Sequence, residues 1–177
     1  PDYNVYIEKG CKFLELPAPK NLDDVLDGLL ILYSHVPSIT TFPVYIGRLD
    51  MLLDPFITDE EQDYIKIKRF LNHVDKTVPD SFCHANIGPY DTKAGRLILK
   101  AVIELEAPTP NMTIRYDKSK TSREFAELAA KACLLVSKPS FANDAYYISD
   151  LGEQYGIASC YNALPECGGA YTLTRLR

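Results

Sequence analysis

The residues of this chain whose types and spacing could do chemistry stand close together, in YGIASCYNALPECGG (155–169). A short apolar run, Gly156-Ile157-Ala158, delivers Cys160 into a loop dense in Asn, Pro, Glu and Gly, where Asn162, Glu166 and Cys167 follow. A thiol in that setting has two readings. It is a small buried hydrophobe at a strand end, because free cysteine is among the most buried residue types. Or it is a reactive group, which as a nucleophile needs a lowered pKa and a base in contact, with His84 the candidate. Glu166 is either a solvated loop charge or a general acid or base, if burial raises its pKa. Cys167 is a second thiol or a bland one. Gly168-Gly169 most simply supply a turn with positive φ, or else a close backbone approach to a substrate. His84, next to Cys83, reads as a satisfied strand histidine or a substrate contact. Adjacent strand side chains point to opposite faces, which weakens Cys83 and His84 as a pair.

Elements must hold such a loop, and the pattern upstream supplies them. Four helices are expected. The first starts at Asn21, repeats Leu22, Val25, Leu26, Leu29, Leu30 and Tyr33 on one face, and ends before Pro37. The second opens with the capping box Thr58-x-x-Glu61 and carries Tyr64, Ile67, Phe70, Leu71 and Val74. The third follows Asp91-Thr92. The fourth has Thr121-x-x-Glu124 as its capping box and stops before Pro139. Between them, FPVYI (42–46), SFCHANI (81–87), MTIRY (112–116) and YGIAS (155–159) read as strands. Strict alternation of helix and strand is the mark of an α/β layer with mostly parallel strands. Function in such sheets collects at the carboxyl ends of the strands. Those ends are Gly47-Arg48-Leu49-Asp50, Asn86-Ile87-Gly88-Pro89, Tyr116-Asp117-Lys118 and Ser159-Cys160-Tyr161-Asn162. Arg48 and Asp50 read as an ion pair or a helix start.

Composition narrows the class. A chain of 177 residues, 46% hydrophobic and 24% charged, is enough for one domain with a real core. A net charge of -5 with scattered Lys and Arg argues against nucleic acid or an anionic membrane as partner. No stretch approaches the ~20 apolar residues of a membrane span. Five cysteines at 11, 83, 133, 160 and 167 lack the spacing of a secreted disulfide framework, so reduced thiols in the cytoplasm are expected, without a Cys160–Cys167 disulfide. No CxxC pair exists and the three histidines are far apart, so no zinc site is expected. No GxGxxG or GxxxxGK[ST] occurs, which removes the common nucleotide-binding versions of the fold. The chain opens at Pro1-Asp2-Tyr3 and stops at TLTRLR, within a plausible strand. Residues 1–177 are therefore expected to be one domain-sized segment of a longer polypeptide, which alone would expose apolar surface and self-associate.

Five stretches, in order, resemble the glycyl radical enzymes, the superfamily of pyruvate formate-lyase, the glycerol and choline lyases and anaerobic ribonucleotide reductase. GRLDMLLDPF (47–56) is similar to the GR-x-D-x-x-L-x-P segment of that family. ANIGPYDTKAGRLILKAV (85–102) looks like the strand-turn-helix before its central motif, and PTPNMTIRY (108–116) like its P-N-L-T-x-R strand. KPSFANDAYY (138–147) resembles its P-x-F-N-D segment, and YGIASCYNALPECGG falls where the family keeps its radical cysteine. The continuation ALPECGGAYTLTRL is more similar to the YjjI-type subgroup than to the better-known lyases.

The resemblance implies a fold, a segment of a ten-stranded α/β barrel with mostly parallel strands. It also implies a mechanism. Cys160 would carry a thiyl radical that abstracts hydrogen from a small organic substrate, after a backbone glycyl radical has taken the thiol's hydrogen. A barrel keeps such a radical from water and oxygen. The glycine motif does not occur in this sequence, so the radical would come from a C-terminal part of the parent chain, and no bound cofactor is expected here. A radical-SAM activating enzyme is the implied partner, and a homo-oligomer stays open. The dehydratase and C–N lyase branches carry a Glu two residues after the cysteine, where this chain has Asn162. Pyruvate formate-lyase has two adjacent cysteines, where this chain has Ser159 and Tyr161 beside Cys160. Neither chemistry carries over; Glu166 remains for proton transfer, and Asn162, Cys167 and His84 for substrate contact. Two readings outside that family remain: a cysteine-dependent acyltransferase or hydrolase, and a non-catalytic α/β module.

Overall fold

The computed structural model describes residues 3–40, 44–78, 83–153, 155–158 and 162–164. Its elements run α1 (Tyr3–Lys9), α2 (Leu22–Thr40), β1 (Val44–Arg48), α3 (Leu49–Leu53), a 3₁₀ turn (Asp54–Phe56), α4 (Glu60–Thr77), β2 (Cys83–Ile87), α5 (Lys93–Glu104), β3 (Asn111–Tyr116), α6 (Arg123–Val136), β4 (Ser140–Asn143), α7 (Asp144–Leu151), β5 (Gly156–Ala158) and β6 (Asn162–Leu164). The chain is α/β, as expected, with a four-stranded sheet in the order β1-β2-β3-β4. All its pairs are parallel: Tyr45 lies against His84, Asn86 against Thr113 and Arg115 against Ala142.

That order has a topological consequence. Parallel neighbours joined in sequence by right-handed crossovers place every connecting helix on one face. A doubly wound sheet instead reverses its order and puts helices on both faces. The packing agrees with the first case. Val44 and Ile46 of β1, Cys83, Ala85 and Ile87 of β2, and Met112 and Ile114 of β3 share one buried core with the helices. The helical side of that core is the set of stripes expected from the 3.6-residue period: Val25, Leu29 and Tyr33 of α2, Ile67, Leu71 and Val74 of α4, Leu97 and Ile98 of α5, and Phe125 and Ala129 of α6. Strand alternation then turns Tyr45, His84, Asn86, Thr113 and Arg115 to the other face. One face is apolar and helix-covered; the other is polar.

α2 and α5 start as expected, at Asn21 and Thr92, while the caps of α4 and α6 and the end of α2 differ, each for a local reason. α4 is capped by Asp59, whose carboxylate accepts from the N–H of Glu61 and Gln62, while Asp63 reaches back to the N–H of Thr58 and Asp59. A carboxylate at the positive helix end does this better than a neutral hydroxyl, and Thr58 becomes a donor in the box. The fourth helix is capped by Ser122 accepting from Phe125 N–H, while the Thr121 hydroxyl accepts from Asp117 N–H in the turn before it. α2 runs through Pro37 to Thr40; proline fixes φ near the helical value and removes one hydrogen bond. Of the last expected strand, Gly156–Ala158 is extended and lies outside the parallel sheet, pairing antiparallel with β6. Three helices (α1, α3, α7) and two strands (β4, β6) were not expected; each is eight residues or shorter, too short for a periodic signal.

Candidate functional site

Cys160, Glu166, Cys167, Ser159, Tyr161, Gly168 and Gly169 lie outside the described residues. Of Asn162, the strand β6 backbone is described, with Asn162 paired to Ala158 across the hairpin. The described strands on either side of Cys160 in sequence are therefore partners, and the β5 strand is laid on the polar face of the sheet.

Two side chains of that face hold it. Asn86, fully buried, acts as a backbone substitute: its Oδ1 accepts from Ile157 N–H at 3.0 Å and its Nδ2 donates to Ile157 C=O at 2.9 Å. The Tyr45 hydroxyl donates to the same Oδ1 at 2.7 Å, fixing the amide's orientation. A Cβ on Gly156 would stand 2.4 Å from the Tyr45 ring, so glycine permits the approach. Arg115, one strand over, donates from Nη2 to Glu153 C=O at 3.0 Å and from Nη1 to Tyr155 C=O at 3.4 Å, with its guanidinium carbon 4.0 Å from the Tyr155 ring centroid. The buried Asp144 carboxylate pairs with Arg115 Nε at 2.6 Å and accepts from the Tyr155 hydroxyl at 2.8 Å. Burial first, then the hydrogen bond to Asp144, push the Tyr155 phenol well up. The segment leading into the hairpin is thus bolted to the sheet by a buried ion pair.

His84 is 5% exposed and lies on the same face as Asn86, opposite Cys83, which belongs to the apolar core. Its backbone C=O accepts from the Tyr33 hydroxyl at 3.1 Å. Arg48 and Asp50 mark a helix start: Asp50 sits in the first turn of α3, with no ion pair to Arg48 among the described residues. Asp50 ties two neighbouring loops together, accepting from Gly88 N–H at 2.8 Å and from the Thr92 hydroxyl at 3.2 Å. Gly88 has φ +76, which glycine tolerates at no steric cost. Asp50 is completely buried and its Oδ1 has no hydrogen-bond partner among the described residues. Burial therefore raises its pKa from 3.8 to about 6, against the two loop donors.

At the carboxyl ends of β1, β2 and β3 the polar face opens into a cleft of about 70 Å³, walled by Arg48, Tyr90, Arg115, Lys120, Asp144 and Glu153. Sequence reasoning named Arg48 as part of a strand end but missed Arg115, Asp144 and the bridging role of Asn86. The available signal was a polar residue in the middle of an apolar strand: Asn86 in CHANI and Arg115 in MTIRY. Among the described residues no group of three or more His, Cys, Asp or Glu gathers to hold a metal, and no helix is long and apolar enough to cross a membrane. Cys11, Cys83 and Cys133 are free thiols.

Comparison with known proteins gives the architecture a family. Residues 1–177 match the family described as "Glycyl radical enzyme YjjI-like". An uncharacterized protein of Haemophilus influenzae is 92% identical over 177 residues, covering 100% of this chain and 34% of that protein. The uncharacterized protein YjjI of Escherichia coli is 46% identical over 179 residues, covering 99% of this chain and 35% of that protein. The chain therefore spans about a third of the length of these curated relatives. With the family matched over its whole length, the chain belongs to the YjjI-like glycyl radical enzymes.

Proposed function

We propose that this chain is the part of a radical enzyme that presents the hydrogen-abstracting thiol, Cys160, to a small organic substrate. The observation that carries the reading is the match of the whole chain to a glycyl radical enzyme family, with a cysteine at the position its resemblance assigns to the radical relay. The strand before Cys160, held on the polar face by Asn86 with the segment ahead of it held by Arg115, gives physical support: a radical relay must be held against a defined reactant. The sequential parallel sheet, with its helices on one face, is the topology a barrel wall requires, and we read it as four strands of a ten-stranded barrel.

In this reading a glycyl radical elsewhere in the parent chain takes the hydrogen atom from the Cys160 thiol. The thiyl sulfur takes a hydrogen atom from a substrate C–H and later returns one to the product radical, so no net electron is gained or lost. What this chain's residues do is narrower: they fix the hairpin, cover the sheet's polar face and exclude water. Asn162, Cys167 and His84 are the substrate-contact candidates and Glu166 the proton-transfer candidate. A radical-SAM activating enzyme is the expected partner and the cytoplasm the expected compartment.

The test is electron paramagnetic resonance on the full-length protein, activated anaerobically, beside Cys160→Ala. A glycyl doublet is expected in both, with exchange of solvent hydrogen into the glycine lost only in the variant. Absence of a doublet under conditions that activate a known relative would sink the radical reading. Exchange that survives in Cys160→Ala would sink the role of Cys160.

A further inference from the structure

We infer that the cleft at the carboxyl ends of β1, β2 and β3 is an oxyanion subsite, in which Arg48 receives the carboxylate or phosphate group of a small molecule. Four observations meet there. Ligands of parallel α/β sheets bind outside the carboxyl ends of the strands, and this cleft is built from three such ends. Its wall carries the cations Arg48, Arg115 and Lys120 against the carboxylates Asp144 and Glu153. The cations are unequally engaged. Arg115 is occupied by Asp144 and by two backbone carbonyls. Lys120 lies 3.3 Å from Asp117 and 3.6 Å from Asp144. Arg48, half-buried, makes no side-chain hydrogen bond and no ion pair among the described residues, and the buried Asp50 carboxylate two residues on is the charge it interacts with. A guanidinium brings five N–H donors in a planar fork that matches an oxyanion, and leaving them unmet in a partly desolvated cleft is costly.

The last observation is size. A volume of about 70 Å³ holds one oxyanion and a carbon or two, and no more. The cleft is also coupled to the proposed chemistry, because the Arg115–Asp144 pair in its wall is the pair that anchors Tyr155 ahead of β5. An anionic group seated on Arg48 would fix one end of a molecule beside the segment that enters the hairpin. This deepens the radical reading and rests on it only in naming the bound molecule a substrate.

Binding is tested without any radical, in the full-length protein at low ionic strength. The probes are sodium acetate, followed by saturation-transfer proton NMR, and inorganic phosphate, followed by phosphorus line broadening; glycerol is the neutral control. Saturable binding of one or both anions is expected, with Arg48→Gln weakening it about tenfold, the usual worth of a charge-assisted contact. Acetate alone would assign a carboxylate, phosphate alone a phosphate. Lys120→Gln, a milder change at a partly exposed residue, should weaken binding several-fold if Arg48→Gln fails to fold. Lys131→Gln, on the exposed side of α6, should not alter it. No saturable binding of either anion, equal binding by Arg48→Gln and wild type, or glycerol binding as tightly as the anions would each overturn the subsite. Binding that follows Arg48 in a protein giving no glycyl doublet would keep the subsite and discard the radical.

Discussion

Replacing Asn86 with alanine removes the clamp on the hairpin while leaving the helix-covered core intact, because Asn86 lies on the opposite face of β2 from Cys83, Ala85 and Ile87. The variant loses three hydrogen bonds and strands two buried backbone groups, the N–H and C=O of Ile157, a residue 2% exposed. An unmet buried donor or acceptor costs about 1–3 kcal/mol. Two of them, partly relieved by water entering behind the shortened side chain, should weaken hairpin docking by about 2–4 kcal/mol. Local opening of that size speeds exchange of the Ile157 amide by roughly thirty- to several-hundred-fold. Hydrogen–deuterium exchange on the full-length protein, read on a peptide spanning 155–158, measures it, with peptides from α5 as internal reference. Asn86→Asp sharpens the test. An aspartate still accepts from Ile157 N–H, but at neutral pH its second oxygen faces the Ile157 carbonyl. The docked state then disfavours the charged form, so protection should recover as the pH falls and the carboxyl regains a donor. Exchange of Ile157 within about threefold of wild type in Asn86→Ala would mean that the amide bonds are incidental to docking.

Two further outcomes follow from the buried polar groups, and a third from the close approach of Gly156 to Tyr45. Arg115→Met should lower stability to urea by about 3–5 kcal/mol, because it strands Asp144, and Arg115→Met/Asp144→Leu should recover part of that loss. Asp50 holds its proton more tightly in the folded protein than in the unfolded chain. Its contribution to stability is therefore full below about pH 4 and lost as the pH rises through about 6, a swing on the order of 3 kcal/mol. Denaturation at pH 4.5 and 7.5 should show Asp50→Asn gaining on wild type at the higher pH; parallel behaviour would refute the raised pKa. Gly156→Ala should raise exchange at Ile157, and Tyr45→Ala in the same protein should reverse part of the rise by clearing the ring from the new Cβ.

What could be read from the sequence divides along a physical line. The long helices were legible because stripes such as Val25-Leu29-Tyr33 repeat over several turns, and burial of those stripes is what holds the helices in place. The caps at Asn21 and Thr92 were legible, but those at Thr58 and Thr121 were off by one because neighbouring oxygens compete for a cap: Ser122 takes the Phe125 N–H while the Thr121 hydroxyl accepts from Asp117 N–H. β5 was legible as an extended run but not as half of a hairpin. It is three residues long, and its partner on the sheet is the side chain of Asn86, which no backbone pattern announces. The polar face was half legible: alternation put His84 opposite Cys83, yet nothing in CHANI says that a strand would cover it. A sheet buried on both faces normally reads as an unbroken apolar run. Here β2 is buried throughout while its second and fourth residues are His84 and Asn86. That mismatch between burial and polarity, repeated at Arg115 in β3, is the sequence-level trace of a site. It marks where the chain keeps polar groups out of water because they have a backbone, an ion or a ligand to hold.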